Sequence, residues 1–309
     1  MQLKIESVNV SKQKGTVKHP VPQIELTSLG VKDDAHSGAW NRQVSLLGTE
    51  SIRKFEKQSG RKIKYGDFAE NITTTGMKLW KSHPLDRFII NDSILEVTQI
   101  GKQCHGASCT IFKEVGNCVM PKEGIFCRVI NPGIILPSMV MLYQPKYYKV
   151  HIITLSDRAS AGEYEDRSGP VLGDLAIGFF KKNDLLSTIK FSLIPDNPHQ
   201  LRSLLKQSLE DETDIIFTTG GTGIGPRDFT PDVIRPMLDK EIPGIMDSIR
   251  LKYGSANPNA MVSRAIAGVM GQSLIFALPG SMKAVNEYFS EISKYTLHLV
   301  YMLHGLDIH

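Results

Sequence analysis

The sequence predicts two domains, the first mainly β and the second α/β with a mostly parallel sheet sandwiched by helices. Three observations carry this prediction. The chain has 309 residues, too many for one ordinary domain and comfortable for two. Residues 1–145 show short runs of alternating apolar and polar residues, the period of half-buried strands. Residues 146–309 alternate apolar runs with stretches whose apolar residues recur at helical spacing. Composition agrees with folded domains: 41% of residues are apolar and 22% charged, with 26 Gly and 16 Pro. That excludes disordered and collagen-like chains.

In the first domain the strands are Leu3-Lys4-Ile5, Ile24-Glu25-Leu26, Ile94 to Ile100 and Ile125 to Ile130. Gly66-Asp67 and Asn131-Pro132-Gly133 supply turns. One helix is expected, with Thr49 as N-cap and Ile52 and Phe55 on one face. So many short strands in one domain suggest a β-barrel or folded sheet. The joint falls near Gln144-Pro145-Lys146, giving domains 1–145 and 146–309.

The second domain opens with a strand at Val150–Leu155. A helix follows Pro170, with Val171, Leu172, Leu175 and Phe179 at helical spacing. Next come a strand over 188–194 and a helix that starts near Pro198 and carries Leu201, Leu204, Leu205 and Leu209. The strand Asp214–Thr219 runs straight into Gly220-Gly221-Thr222-Gly223. A last strand, Leu274–Leu278, ends at Pro279-Gly280, before a long helix carrying Val285, Phe289, Ile292, Leu299 and Met302. Strands regularly separated by helices mean a parallel sheet covered on both faces.

The formal net charge is +4, unevenly spread. Residues 1–145 hold 19 basic against 13 acidic residues, and 146–309 hold 17 against 19. The first domain therefore favours an anionic partner such as a phosphate. It lacks the dense basic stripe with interleaved aromatics of a nucleic-acid binder. No apolar run reaches the roughly 18 residues of a membrane-spanning helix, and residues 1–6 hold no apolar signal region. A cytoplasmic protein is expected. Its four cysteines, Cys104, Cys109, Cys118 and Cys127, are then thiols rather than disulfides. Their spacing is not the paired pattern of a zinc ribbon. Cys127 alternates within a strand and reads as core. His105 beside Cys104 could lower a thiol pKa or complete a metal site, though an accidental cluster outweighs zinc.

Parallel sheets bind ligands at the carboxyl ends of their strands. Two loops sit there: Gly220 to Asp228, and Leu278-Pro279-Gly280-Ser281. Glycines let backbone amides approach a phosphate. The first loop is neither a Walker A motif nor a dinucleotide fingerprint, because no Gly-Lys-Ser/Thr follows and Pro226 stands where a third glycine belongs. Asp228 closes it, and Thr230-Pro231 reads as a helix start capped by Thr230. Asp196 follows another strand. Singly, Asp196 could cap the helix before Pro198 and Asp228 could be a turn residue. Together, two carboxylates in one crevice suit a hydrated Mg2+ that also meets substrate phosphates.

The motifs then become specific. Ser156-Asp157-Arg158-Ala159-Ser160-Ala161-Gly162 with Tyr164 and Asp166, Thr218-Thr219-Gly220-Gly221-Thr222-Gly223 with Pro226-Arg227-Asp228 and Thr230-Pro231-Asp232, Ser263-Arg264, and Leu278-Pro279-Gly280 resemble the MogA/MoaB family across essentially all of 147–309. The resemblance implies a molybdopterin-binding α/β domain, a homotrimer, and in the MogA branch adenylylation of molybdopterin by ATP. Asp196 and Asp228 match the family's catalytic aspartates, acting through Mg2+ and substrate orientation. The resemblance gives Thr219, Gly220, Gly221, Thr222 and Gly223 a phosphate or pterin to cradle. Ser263, Arg264, Pro279 and Gly280 complete its pterin-side pocket. Asp157 and Asp232 are expected in structural or supporting roles.

Asp33-Asp34-Ala35-His36-Ser37-Gly38, Arg42-Gln43-Val44-Ser45, Gly66-Asp67-Phe68-Ala69-Glu70-Asn71-Ile72 with Gly76, and Thr98-Gln99 followed by Cys104 resemble the MOSC family over about 1–145. Asp33-Asp34 stands where Gly-Asp is common. The resemblance implies a β-rich module that binds a molybdenum-cofactor-type pterin or handles sulfur through Cys104, with Cys127 inert. Taken together, the expected partners are molybdopterin, ATP, and a molybdenum-insertion protein that receives the product, with no nucleic acid and no membrane. A non-catalytic carrier of the cofactor, or sulfur transfer through Cys104 as the main chemistry, are the alternatives.

Overall fold

The computed structural model describes residues 1–103 and 118–306. It divides into two units, Met1–Lys146 with Leu306, and Tyr147–Gly305. In the first, the strands are β1 (Gln2–Val10), β2 (His19–Val21), β3 (Ile24–Thr27), β4 (Gly30–Val31) and β5 (Val44–Gly48). Helix α1 (Thr49–Ser59) leads to β6 (Ile72–Thr75), β7 (Arg87–Ile90) and β8 (Ser93–Ile100). After the short helix α2 (Met120–Glu123) come β9 (Ile125–Asn131), β10 (Gly133–Ile135) and β11 (Val140–Gln144). The main sheet runs β11-β7-β8-β9-β5-β6-β1-β2, and a further β11–β1 pairing closes seven of its strands into a barrel. Closure removes the free edges that an open sheet exposes.

The alternation read from the sequence has a physical purpose here. Leu3, Ile5, Val44, Leu46, Leu95, Val97, Ile125 and Cys127 point inward and form one apolar cluster. In β1 the period breaks at a bulge between Ile5 and Ser7, so Ser7 and Val8 are both buried. β5 and β6 are parallel, as the crossover through α1 requires. Ile52 and Phe55 are buried on one face of α1, as expected. Thr49 is not its N-cap. The strand runs through Gly48, which takes the cap position, and Thr49 Oγ1 instead donates to Thr75 Oγ1 at 3.0 Å.

The second unit contains β12 (Tyr147–Leu155), α3 (Asp157–Ser160), α4 (Ser168–Lys182), β13 (Leu186–Ile194), α5 (Pro198–Glu210) and β14 (Ile215–Thr219). Then follow α6 (Thr230–Ile234), β15 (Lys240–Glu241), α7 (Pro243–Gly254), β16 (Ile266–Met270), β17 (Ser273–Leu278) and α8 (Met282–Leu303). The sheet order is β13-β12-β14-β17-β16-β15. Its first four strands are parallel, and β16 alone is reversed, antiparallel to both β17 and β15. The sequence reading did not anticipate β16: Ala267 and Gly268 dilute its apolar signal. Gly268 is small because a Cβ there would run into Leu238 and the Lys240 carbonyl.

The sheet has an aliphatic face and an aromatic one. Ile153, Ile216 and Ile275 pack with Leu201 and Leu205 of α5 and with Val233 and Ile234 of α6. Phe217 stacks on Phe276, and both lie on the side of Phe289 of α8, which meets Phe179 of α4. Chain order reverses across β12, since β13 lies on one side of it and β14 on the other. A crevice for ligands opens at the carboxyl ends of strands at such a point.

His151 of β12 is 1% exposed and bridges Ser208 Oγ (2.7 Å) and Ser192 Oγ (2.8 Å) through its two ring nitrogens. Burial, with Lys190 nearby, pulls its pKa down to about 4. A base depressed in the fold stabilises it above its unfolded pKa of about 6.5, and that stability is lost as pH falls toward 4. The loss should reach about 3 kcal/mol. Urea midpoints followed by circular dichroism between pH 7 and 4 measure it, and the steepest part should flatten in His151→Gln.

Candidate functional site

Every loop singled out in the second domain lies at one edge of the sheet. β12 ends at Leu155, β13 at Ile194, β14 at Thr219 and β17 at Leu278, all parallel. β16 is antiparallel to β17, so Ser263 and Arg264, which precede it, reach the same edge. Gly220 has φ 108°, and a Cβ there would strike the Leu155 carbonyl. Only glycine lets β14 turn so tightly against β12. Its N–H donates to Leu278 O at 3.0 Å.

The glycine loop surrounds a cavity of about 390 Å3. Gly221, Thr222, Gly223, Asp228, Ser263, Pro279 and Gly280 line it, together with Ser281, Lys283, Glu287 and Tyr288 from the start of α8. The Tyr288 hydroxyl is buried close to Ser263 and has no hydrogen-bond partner among the described residues. A buried hydroxyl in a cavity wall without a partner invites one from a ligand. A second cavity of about 250 Å3, lined by Ser156, Tyr164, Asp166, Ser168 and Met282, touches the first at Gly280.

Thr219 and Gly220 are buried and stand behind the cavity, with Thr219 Oγ1 3.3 Å from Pro279 O. Arg264 is a brace. Its Nε donates to Gly223 O (2.7 Å), its Nη1 to both Asp232 oxygens (2.8 and 2.9 Å), and its Nη2 to Asp228 O. Asp232 thus serves Arg264. Thr230 does not cap α6. Its hydroxyl donates to Gly220 O at 2.9 Å and pins the loop.

Asp228 Oδ2 accepts from Gly225 N at 2.9 Å, so it folds the loop and also faces the cavity. Asp196 is not the cap of α5, because Asn197 is: its Oδ1 accepts from His199 N and Gln200 N. Asp196 instead exchanges hydrogen bonds with Asp157, 2.9 Å from its own N–H to Asp157 Oδ1 and 3.4 Å in return. Burial pushes the Asp196 carboxyl up, and the Asp157 and Asp228 charges push the same way. The Asp228 charge therefore reaches Asp196, although Asp228 faces the cavity and Asp196 lines neither cavity. Among the described residues no group of three or more His, Cys, Asp and Glu could hold a metal. Mg2+ needs only one or two carboxylates where phosphate and water supply its other ligands.

Residues 151–298 match the family model of a "probable molybdopterin binding domain", and residues 33–137 match that of the MOSC domain. The chain belongs to the MogA/MoaB family and carries a MOSC domain ahead of it. It is 32% identical over 161 residues to the molybdopterin adenylyltransferase of Pyrococcus furiosus, which covers 50% of this chain and 91% of that one. The molybdenum cofactor synthesis protein cinnamon of Drosophila melanogaster is 35% identical over 158 residues. That match covers 51% of this chain and 26% of the relative, so the chain spans about a quarter of that protein. The crystal structure of MoaB from Thermus thermophilus matches with TM-score 0.47 and 32% identity, over 51% of this chain and 97% of that one.

In the MOSC domain the polar motif residues converge on one buried carboxylate. Asp34 Oδ2 accepts from Lys18 Nζ, Asn71 Nδ2 (3.1 Å) and Ser11 N (3.1 Å), and Asp34 Oδ1 from His36 N (2.9 Å). Burial alone would raise the Asp34 carboxyl, but His36 and Lys18 outweigh it and hold it below the usual range. Glu70 Oε1 accepts from Gly66 N (2.7 Å) and Thr73 Oγ1 (2.8 Å), and burial pushes its carboxyl up. These residues shape the Asp33–Gln43 and Gly66–Ile72 loops. Cys104, Cys109 and His105 lie outside the described residues. Cys127 is fully buried, and burial drives its thiol well above the ordinary value. A small alkylating reagent should leave it unlabelled in the native protein and modify it after unfolding, read by mass spectrometry of the tryptic peptides.

No helix among the described residues is long and apolar enough to cross a membrane. The sequence reading missed Lys283, Glu287 and Tyr288. The signal was available, because the first two turns of a helix that follows Pro279-Gly280-Ser281 lie beside the same edge.

Proposed function

We propose that the MogA/MoaB domain adenylylates molybdopterin with Mg-ATP, as part of molybdenum cofactor biosynthesis. The observation that carries this reading is one cavity at the carboxyl edge of the parallel sheet, walled by the Gly221–Gly223 backbone, Thr222 and Asp228, with Asp196 within electrostatic reach. A phosphate oxygen of molybdopterin attacks the α-phosphorus of ATP. The new P–O bond forms as the bond to the oxygen bridging the β-phosphate breaks, and pyrophosphate leaves with that electron pair. The attacking oxygen is already anionic, so positioning and charge neutralisation carry the step. Mg2+ held by Asp196 and Asp228 would supply charge neutralisation. The glycine-loop amides orient phosphate, and Arg264 holds the loop in that shape. The cavity on the other side of Gly280 gives the second substrate a place beside the first.

The MOSC domain binds the same class of pterin or handles sulfur through Cys104, and a homotrimer of the second domain and a molybdenum-insertion protein as acceptor belong to this reading. Incubation with ATP labelled at the α-phosphate tests it. Label should move onto the pterin only when molybdopterin and magnesium are both present. Tight pterin binding with no transferred label would make the protein a carrier.

A further inference from the structure

We propose that Arg227 is a clamp for the phosphates of ATP, held in reserve on Asp157 until the nucleotide arrives. The inference rests on the adenylyltransferase reading. Arg227 sits at the end of the glycine loop with a side chain 77% exposed, and its Nη1 is 3.0 Å from Asp157 Oδ2, on a side chain 39% exposed. An ion pair so open to water contributes little to the fold. Asp157 does not need it, since its other oxygen and its own N–H are engaged with Asp196 and it begins the turn of α3.

The surroundings give the pairing another use. Asp157 holds Arg227 at 3.0 Å and is itself hydrogen-bonded to Asp196, and Asp228, which faces the cavity, is the next residue along the loop. A triphosphate offers the same fork of donors more negative charge than one carboxylate does, and in a geometry that a guanidinium meets with two bonds. Magnesium at Asp196 and Asp228 would repel the guanidinium from its resting place, while the phosphates would draw it. Arg227 is therefore a positioning residue whose resting partner competes with the substrate.

Competition makes the two partners act with opposite signs. Binding of the α,β-methylene analogue of ATP with magnesium to the full chain, followed by calorimetry, reads both without turnover. Arg227→Gln should weaken binding about tenfold or more. Asp157→Asn should tighten it about two- to fivefold, because Asn still accepts from Asp196 N–H but releases the arginine. The double variant should match Arg227→Gln alone, and Arg227→Lys should recover part of the loss. AMP, with one phosphate, should discriminate far less. Melting curves identify any variant that misfolds, and the Lys variant then carries the test. Unchanged binding in Arg227→Gln, or weakening by both substitutions, would overturn the clamp and leave adenylyl transfer standing. Failure of the wild type to bind the analogue would remove the adenylyltransferase reading, and the clamp with it.

Discussion

Asp228→Asn should fold normally, bind molybdopterin with unchanged affinity and transfer adenylate about a hundredfold more slowly. The substitution is chosen for what it keeps. Asn can still accept from Gly225 N through its Oδ1, so the hydrogen bond that Asp228 makes at 2.9 Å survives. The contacts of Arg264 with the Asp228 and Gly223 carbonyls involve backbone and survive as well. What disappears is one negative charge facing the cavity. Asp196 should then find its carboxyl less strained, since the Asp228 charge is one of the influences raising it. Single-turnover rates with saturating substrates, beside pterin affinity by fluorescence, separate a lost charge from a lost loop. Near-normal turnover would remove Asp228 from the chemistry.

The second large effect belongs to the MOSC domain. Lys18 and Asp34 side chains are 1% and 0% exposed, and breaking a buried pair from one side costs about 3–5 kcal/mol. Asp34→Ala should reach that range, because it strands the Lys18 ammonium, which burial already disfavours, and frees Asn71, Ser11 and His36 from their common acceptor. Lys18→Met should cost less, since Asp34 keeps those three donors. Both tryptophans, Trp40 and Trp80, lie in this domain, so urea unfolding followed by tryptophan fluorescence reports it alone. A midpoint in Asp34→Ala equal to that of the wild type would show that the network does not hold the barrel.

The second domain was largely legible because its signals are local. Apolar runs ending in glycine loops mark parallel strands, and Asp228 and the glycines lie in a single loop. The crevice was legible by rule, as the edge where such strands end. What the sequence hid is non-local. Arg264 looks like a ligand contact, yet its donors are consumed by Gly223, Asp228 and Asp232, which lie some thirty to forty residues earlier. Asp196 could be a helix cap until Asn197 is seen in that role. Lys18 carries no sequence signal at all: an isolated lysine between Val17 and His19 is buried because the loop carrying Asp34 folds back onto it. Thr230 and Thr49 fit capping patterns, but each lies one residue inside its helix and spends its hydroxyl on a neighbouring strand or loop.

Under the proposed function, two cavities that meet at Gly280 bring molybdopterin and ATP together for adenylyl transfer. Pyrophosphate release from Mg-ATP, measured with and without molybdopterin in the wild type and in Asp228→Asn, tests it most directly. Release should require molybdopterin and be suppressed in Asp228→Asn. Release that is independent of molybdopterin, or tight pterin binding with no release, would contradict it.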